Sequence, residues 1–264
     1  MENQYLTAYY ESYDEDGRLR SKQGMVEFLT TMRYIERYLK PGMKIIEIGA
    51  GTGRYSHALA NMGYTVDAVE LIEHNIEIFQ SHITENEPIT VRQGNALDLS
   101  DFADETYDIT LLLGPMYHLY TKEDQTKALS EAIRVTKQGG IIFAAYCMGD
   151  ASVLSYGFLR GHIHDLVAKC MVDTETFDTF SAPWDIFELY RKEDIDALRA
   201  QFNVTQLHYV AADGYTNHIR ERVNEMDEDT YALYLKYHFA TCERIDLSGY
   251  SNHTLDIFKK GAEE

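Results

Sequence analysis

Residues 44–54, KIIEIGAGTGR, decide the fold of this chain. The apolar run from Met43 to Ile48 predicts a short buried strand of a parallel sheet. Three glycines at alternating positions follow, and then the helical pattern from Tyr55 to Met62. A strand that turns on glycine into a helix places free backbone N–H groups and the positive end of the helix dipole at the carboxyl edge of the sheet. Open α/β folds bind nucleotide-like ligands at that edge.

The spacing of the glycines separates two classes of ligand. A dinucleotide fingerprint, GxGxxG, would need its third glycine at Arg54, whereas here it comes one residue earlier, at Gly53. The turn is therefore shorter, and a carboxylate, Glu47, stands on the strand before it. This arrangement favours a ligand with a ribose hydroxyl and a charged amino-acid end over a pyrophosphate, and it disfavours a nicotinamide dehydrogenase.

The segment from Glu47 to Gly53, ExGxGxG, resembles the first motif of class I S-adenosylmethionine-dependent methyltransferases. The order of elements extends the resemblance from about Met25 to Cys147, and more loosely to Lys260. It implies S-adenosylmethionine as the cofactor and a Rossmann-like, doubly wound, mostly parallel α/β sheet of about seven strands, with the last strand antiparallel and with cap insertions. It also implies that the methionine end of the cofactor is framed by Glu47, Gly49, Gly51 and Gly53. A plain strand–turn–helix without a ligand is the alternative.

The composition limits the partners and the cellular setting. The 264 residues carry 43 acidic and 24 basic side chains, a formal charge of −19, so a nucleic-acid partner, which needs clustered Lys and Arg, is unexpected. The three cysteines form no CxxC pair, which disfavours a zinc site or a disulfide framework and favours a reducing cytoplasm. No apolar run approaches membrane-spanning length, and the stretch from Met1 to Asp16 lacks the apolar core of a signal peptide. We therefore expect a cytoplasmic protein with no membrane partner and no metal.

The length suits one α/β core with inserted segments, and we expect a single methyltransferase domain over residues 1–264. Residues 1–40 are predicted to form an N-terminal helical flap and a helix that covers the sheet. Residues 149–189 and 213–250 interrupt the strand–helix alternation as cap insertions. The N-terminal tyrosines either pack on the body or close over the cofactor, and the aromatic residues of the first insertion either wall a substrate pocket or form a small satellite core.

Two strand ends carry the predicted nucleoside contacts. Glu70 and Leu71 end the second strand next to the glycine turn, where an acid can accept both ribose hydroxyls, as in dinucleotide folds. An exposed strand-end glutamate is the alternative. Asn95, Ala96 and Leu97 follow the third strand, and the resemblance implies that they meet the adenine, Asn95 through its amide oxygen. A turn asparagine that bonds its own backbone is the alternative there.

The fourth strand, residues 106–113, brings Leu113 to the cofactor and leads into GPMYHL. Amino-methylating enzymes that act on bases or protein amides often carry [ND]PP[FYW] here, and Gly114 and Met116 depart from that pattern. Because the acceptor side chain is missing, a nucleobase or a glutamine amide is a less expected substrate. His118 is the candidate catalytic base for an oxygen, nitrogen or sulfur nucleophile. A structural imidazole bonded to a nearby carbonyl is the alternative.

Taken together, these features predict an S-adenosylmethionine-dependent methyltransferase that acts on an O, N or S atom of a small molecule. Methyl transfer depends mainly on alignment, so the lack of a hydrolase or phosphate-loop motif is expected. The alternatives are an RNA or protein methyltransferase and a non-catalytic cofactor-binding module. The sequence leaves open the acceptor, the atom methylated, the role of the cap insertions and the oligomeric state, with a homodimer as one candidate.

Overall fold

A seven-stranded sheet forms the centre of the computed structural model, which describes residues 2–261, apart from the side chains of Glu2 and Asn3. Met1 and residues 262–264, which the predicted domain includes, lie outside the described residues. The strand order is β3-β2-β1-β4-β5-β7-β6. The strands are β1 (Lys44–Ile48), β2 (Thr65–Glu70), β3 (Ile89–Gln93), β4 (Tyr107–Leu112), β5 (Thr136–Cys147), β6 (Val204–Ala211) and β7 (His253–Lys260).

Helices cover both faces of this sheet. They are α1 (Glu2–Ser12), α2 (Glu15–Arg18), α3 (Lys22–Glu36), α4 (Arg54–Asn61), α5 (Glu73–His82), α6 (Lys122–Val135), α7 (Gly149–Ser152), α8 (Ile163–Ala168), α9 (Lys192–Arg199), α10 (Arg220–Asn224), α11 (Glu228–Thr241) and α12 (Ile245–Ser248). A π-helical segment spans Val153–Leu159, and 3-10 turns span Pro115–His118, Pro183–Asp185 and Gly214–Ile219. None of the helices in the described residues combines the length and the hydropathy needed to span a bilayer.

The pairing of the strands confirms the predicted Rossmann-like sheet. Strands β1 to β5 pair in parallel, whereas β7 runs antiparallel to both of its neighbours, β5 and β6. The central position of β1 explains its continuous apolar run, because a parallel strand in mid-sheet is buried on both faces. Ile45, Ile46 and Ile48 are at most 1% exposed.

Two apolar layers hold the sheet, one on each face. Ile45 packs in a cluster with Leu59 of α4 and Phe143 of β5, and Ile46 packs in the opposite cluster with Leu129 of α6. Each fully buried side chain of this size contributes roughly 1.5–3 kcal/mol to folding. Because both clusters pack against β1 and its neighbours, the carboxyl ends of these strands are held in fixed positions. The candidate site lies at those strand ends.

The end of α6 differs from the sequence prediction. The pattern predicts a helix to about Lys137, a turn at Gly139 and Gly140, and then a strand. In the structure β5 begins at Thr136, directly after α6, and the two glycines lie within the strand. The register against β4 shifts at this point, and Gly139 has a φ of +73°. Thr136 pairs with Tyr107 and Ile141 with Ile109, so residues 137–140, which include both glycines, bulge out of the ladder.

The first predicted insertion also differs in detail. The sequence predicts one amphipathic helix over residues 153–171, but the structure breaks it between Leu159 and Ile163. Gly161 lies in this gap with a φ of +79°, the left-handed conformation that commonly ends a helix. The break turns the chain, so that α8 packs beside the π-helical segment and both face the carboxyl edge of the sheet.

Candidate functional site

The three glycines form a tight bend at the carboxyl end of β1, with φ angles of +73°, +55° and +85° at Gly49, Gly51 and Gly53. A Cβ at Gly49 would lie 2.5 Å from Pro115, and one at Gly53 would lie 2.3 Å from the ring of Phe79. At Gly51 the nearest atom, from α2, would be 3.6 Å away. Gly49 and Gly53 therefore permit close packing, whereas Gly51 leaves open space above the bend.

Glu70 ends β2 beside this bend and is only 5% exposed. One carboxylate oxygen accepts the N–H of Gly51 at 2.7 Å, and the other accepts the N–H of Ile72 at 2.9 Å and the amide of Asn75 at 3.4 Å. Burial raises the pKa of Glu70, and these donors oppose the rise. The alternative of an exposed strand-end glutamate does not hold, because the carboxylate is buried and tied to the glycine bend.

Glu47 lies on β1 directly before the bend and is 2% exposed. The hydroxyl of Ser56, on α4, donates to its carboxylate. Burial raises the pKa of Glu47 to about 8, and the negative charge of Glu70 adds to the rise. The carboxyl group is therefore protonated at pH 7 in the absence of a cationic partner.

We expect the stability of the chain to fall between about pH 6 and about pH 8 in a way that Glu47→Gln removes. The unfolded carboxyl ionises near its ordinary pKa, whereas the folded one keeps its proton up to about pH 8. The folded state thus binds more protons in this window, and the free energy of unfolding decreases as the pH rises. The loss is about 2 kcal/mol over two pH units. Urea denaturation of both proteins measures it, and the same pH dependence in the two would contradict the expectation.

Asn75 indicates that a polar ligand completes this region. It is 2% exposed and lines the same cavity as Glu70, yet its side-chain oxygen is buried without a hydrogen-bond donor among the described residues. Buried acceptors are normally satisfied, and a sugar hydroxyl would supply the missing donor. The residues present therefore fit a nucleoside. Sequence reasoning missed Asn75 because it lies in the first turn of α5, outside any glycine or strand-end motif.

The bend and the neighbouring strand ends line one cavity of about 820 Å³, which is within the range of small-molecule sites. Nine of the predicted cofactor residues are in its wall: Glu47, Gly49, Gly51, Glu70, Leu71, Asn95, Ala96, Leu97 and Leu113. The tenth, Gly53, lies behind the wall against Phe79. The side-chain oxygen of Asn95 accepts the N–H of Leu97 at 3.0 Å, which is the local turn bond that the sequence left as an alternative.

The N-terminal helices cover the cavity. Tyr10, on α1, bonds to His118 with 3.0 Å between its hydroxyl oxygen and Nε2. Glu15, on α2, lies above Gly51. Arg18 joins α2 to α3, because its guanidinium contacts Glu15 at 3.2 Å and Glu27 at 2.8 Å. The segment predicted as a flap thus contributes polar side chains to the cavity wall.

His118 faces the cavity in one defined tautomer. Its Nδ1 lies 2.8 Å from the carbonyl oxygen of Ile186, which can only accept, so Nδ1 carries the hydrogen. Nε2 therefore holds the lone pair and accepts the hydroxyl hydrogen of Tyr10. Burial lowers the pKa of His118 to about 4, and the ring is neutral at pH 7. The carbonyl bond that the sequence left as an alternative is present, and Nε2 is the nitrogen that could take a proton.

One group of side chains has the composition of a metal site. Nδ1 of His253 lies 3.0 Å from Asp213 and 3.4 Å from Glu27. Burial lowers the pKa of His253, but the two carboxylates outweigh burial and raise it well above its usual value. Arg18 neutralises part of the charge on Glu27. The group is an ion-pair network that ties α3 to the start of β7 beside the cavity.

Comparisons with known proteins show which sequences the chain resembles. The sequence profile of a methyltransferase domain matches residues 46–144. A ubiquinone biosynthesis O-methyltransferase from Pseudomonas savastanoi pv. phaseolicola is 29% identical over 41% of this chain and 46% of its own length. The corresponding protein from Pseudomonas fluorescens Pf0-1 is 24% identical over 72% of this chain and 82% of its own length. The chain thus spans about half the length of the first curated relatives it matches.

Solved structures share the fold. An S-adenosylmethionine-dependent methyltransferase from Methanosarcina mazei superposes with a TM-score of 0.57 at 17% identity, over 87% of this chain and 98% of its own. A protein from Pyrococcus horikoshii superposes with a TM-score of 0.61 at 14% identity, over 96% of this chain and 98% of its own. Residues 46–144 thus match a methyltransferase domain, and the glycine motif and the sheet order around them agree with that match.

Proposed function

We propose that this chain transfers the methyl group of S-adenosylmethionine to an oxygen, nitrogen or sulfur atom of a small molecule. One observation carries the proposal: the glycine bend, Glu70 and His118 all line the same covered cavity of about 820 Å³. A site of that size has room for a nucleoside cofactor and a small acceptor together. The names of the O-methyltransferase relatives agree with a small acceptor, although those proteins are only distantly similar.

The cofactor, when bound, supplies an electrophilic methyl group on its sulfonium sulfur. Glu47, Gly49 and Gly51 would hold its amino-acid end, and Glu70 with Asn75 would hold its ribose. Asn95, Ala96 and Leu97 would flank the adenine, and Leu113 would pack beside it. In the proposed reaction the protein contributes mainly alignment, which can supply about 7–11 kcal/mol of the barrier.

His118 is the proposed proton acceptor for a protonated nucleophile. Its Nε2 lone pair faces the hydroxyl of Tyr10, so the proton reaches the ring either directly, once Tyr10 turns aside, or through that hydroxyl. Burial keeps the ring neutral at pH 7, and the Ile186 carbonyl fixes its orientation. The covering helix α1 thus belongs to the proposed catalytic arrangement as well as to the cavity wall.

Transfer of a labelled methyl group tests the proposal. The full chain is incubated with methyl-labelled S-adenosylmethionine and a cell extract separated into small-molecule, RNA and protein fractions. We expect label in the small-molecule fraction. Label in RNA or protein would support the macromolecular alternative instead. Absence of label from every fraction, with cofactor binding retained, would favour a non-catalytic binding module.

A further inference from the structure

Three cationic side chains line the insertion side of the cavity: Arg160, Lys169 and Arg220. Arg160 directly follows the π-helical segment, Lys169 directly follows α8 and Arg220 begins α10, so they come from both segments predicted as cap insertions. Within the described part of the chain, none of the three side chains forms a hydrogen bond or an ion pair. All three are exposed to solvent at the cavity and are available to a ligand.

This lack of partners contrasts with the rest of the chain. Most arginines elsewhere in the described residues are paired with carboxylates, as Arg134 is with Glu131 and Arg199 is with Asp256. Arg54, on the opposite side of the cavity, contacts Phe28 and Met25 instead. With 43 acidic and 24 basic residues, most cations have an acid within reach. On the insertion side these three cations line the cavity against one acid, Asp185, so this part of the wall carries a net positive charge, opposite to that of the whole chain. A cleft lined by one sign of charge concentrates ligands of the other sign.

Arg160 and Arg220 are also close enough to repel each other. Partial desolvation at the cavity wall lowers the pKa of Arg160, and the positive charge of Arg220 lowers it further. The carboxylate of Glu221 raises the pKa of Arg160, but it does not come within ion-pair distance of that side chain. Like charges held together are unfavourable, and an anion between them would remove the cost.

The surroundings of the two arginines define the rest of the ligand. Tyr156 lines the cavity one helical turn before Arg160, and its ring stacks on His162 with 4.3 Å between centroids. Asn217 lines the cavity one turn before Arg220 and donates to Asn252 at 3.2 Å. Guanidinium groups, an amide and an aromatic face together suit a small molecule with an anionic group on an apolar or aromatic body.

We propose that the methyl acceptor is an anionic small molecule whose carboxylate or phosphate group is bound by Arg160 and Arg220, with Lys169 adding to the positive field. This inference rests on the proposed function and specifies its substrate class. The two arginines are specificity residues rather than catalytic residues, because they hold the charged end of the acceptor and lie on the insertion side of the cavity.

Matched pairs of ligands test the proposal. Isothermal titration measures the affinity of 3,4-dihydroxybenzoate against 3,4-dihydroxybenzamide, and of phenyl phosphate against phenol, for the full chain saturated with S-adenosylhomocysteine. We expect at least one anion to bind about tenfold or more tightly than its neutral counterpart. The pair that shows the larger ratio identifies the anionic group. In the Arg160→Ala/Arg220→Ala variant we expect the ratio to fall below about threefold.

Arg222→Ala is the matched control, because Arg222 lies on the same helix as Arg220, is exposed, and faces Glu225 at 3.8 Å outside the cavity wall. It should keep the full preference for the anion. Equal binding of anions and neutral counterparts, binding of no anion, or a preference that survives the double substitution would overturn the proposal. The labelled methyl-transfer assay separates this failure from failure of the proposed function, since label in the small-molecule fraction without a preference for anions overturns the present proposal alone.

Discussion

Replacing Glu70 with alanine should weaken the binding of S-adenosylhomocysteine about a hundredfold. The carboxylate is buried, it accepts the N–H of Gly51 at 2.7 Å, and it lies beside the unsatisfied oxygen of Asn75. The substitution removes the proposed acceptor for the ribose hydroxyls and also the bond that fixes the middle of the glycine bend. Charge-assisted hydrogen bonds contribute about 1.5–3 kcal/mol each, and a hundredfold change in affinity corresponds to the upper part of that range.

Isothermal titration of the purified variant measures this loss, and Glu73→Ala is its control. Glu73 is exposed at the start of α5, three residues from Glu70, and it does not line the cavity. Glu73→Ala removes the same charge from the same region, and it should change the affinity for S-adenosylhomocysteine less than about twofold. If Glu70→Ala and Glu73→Ala bind the ligand equally well, the ribose role of Glu70 is wrong.

The second large effect concerns the glycine bend, where the three glycines should respond differently to alanine. Gly53→Ala should lower the free energy of unfolding by about 3–4 kcal/mol. About 1–2 kcal/mol comes from the left-handed backbone, and the rest comes from a methyl group forced against the buried ring of Phe79. Gly51→Ala should lower the free energy of unfolding only through the strained left-handed backbone, because the new methyl group has room. That methyl group would, however, project toward the cavity.

Gly63→Ala supplies the matched control for backbone strain. Gly63 follows α4 with a φ of +89°, and a Cβ there meets nothing within 4 Å. We therefore expect the stability loss of Gly51→Ala to equal that of Gly63→Ala, about 1–2 kcal/mol, and only Gly51→Ala to weaken cofactor binding. Chemical denaturation and isothermal titration on the three variants test this. Equal stability losses for Gly53→Ala and Gly63→Ala would show that contact with Phe79 adds nothing to the cost of the substitution at Gly53.

The sequence was sufficient to predict the fold because its patterns are local. The apolar run of β1, the glycines after it and the alternation of strands with helices each depend on a few neighbouring residues. The antiparallel β7 was predicted from the resemblance alone. The difference after α6 arose because Thr136 already pairs with β4, and the break at Gly161 arose because a left-handed glycine ends the helical pattern.

The candidate site was predicted only where a motif marks it. Glu70 and the glycines follow strands in a recognisable spacing, whereas Asn75 becomes visible only when α5 folds against β2. The contact between Tyr10 and His118 joins residues 108 positions apart, and the approach of Arg160 to Arg220 joins two segments with no periodic pattern. Such long-range contacts are set by tertiary packing, and a single sequence carries no local signal for them.

Hydrogen exchange on the full chain, with and without S-adenosylhomocysteine, tests the central claim most directly. The claim is that the glycine bend, the start of α5 and the turn after β3 together hold the cofactor beneath the N-terminal helices. We predict slower exchange of backbone amides in residues 49–53, 70–76 and 94–97, and in residues 9–18 that cover them. Saturating ligand that leaves these segments unchanged, or that protects a different part of the chain, would contradict the account.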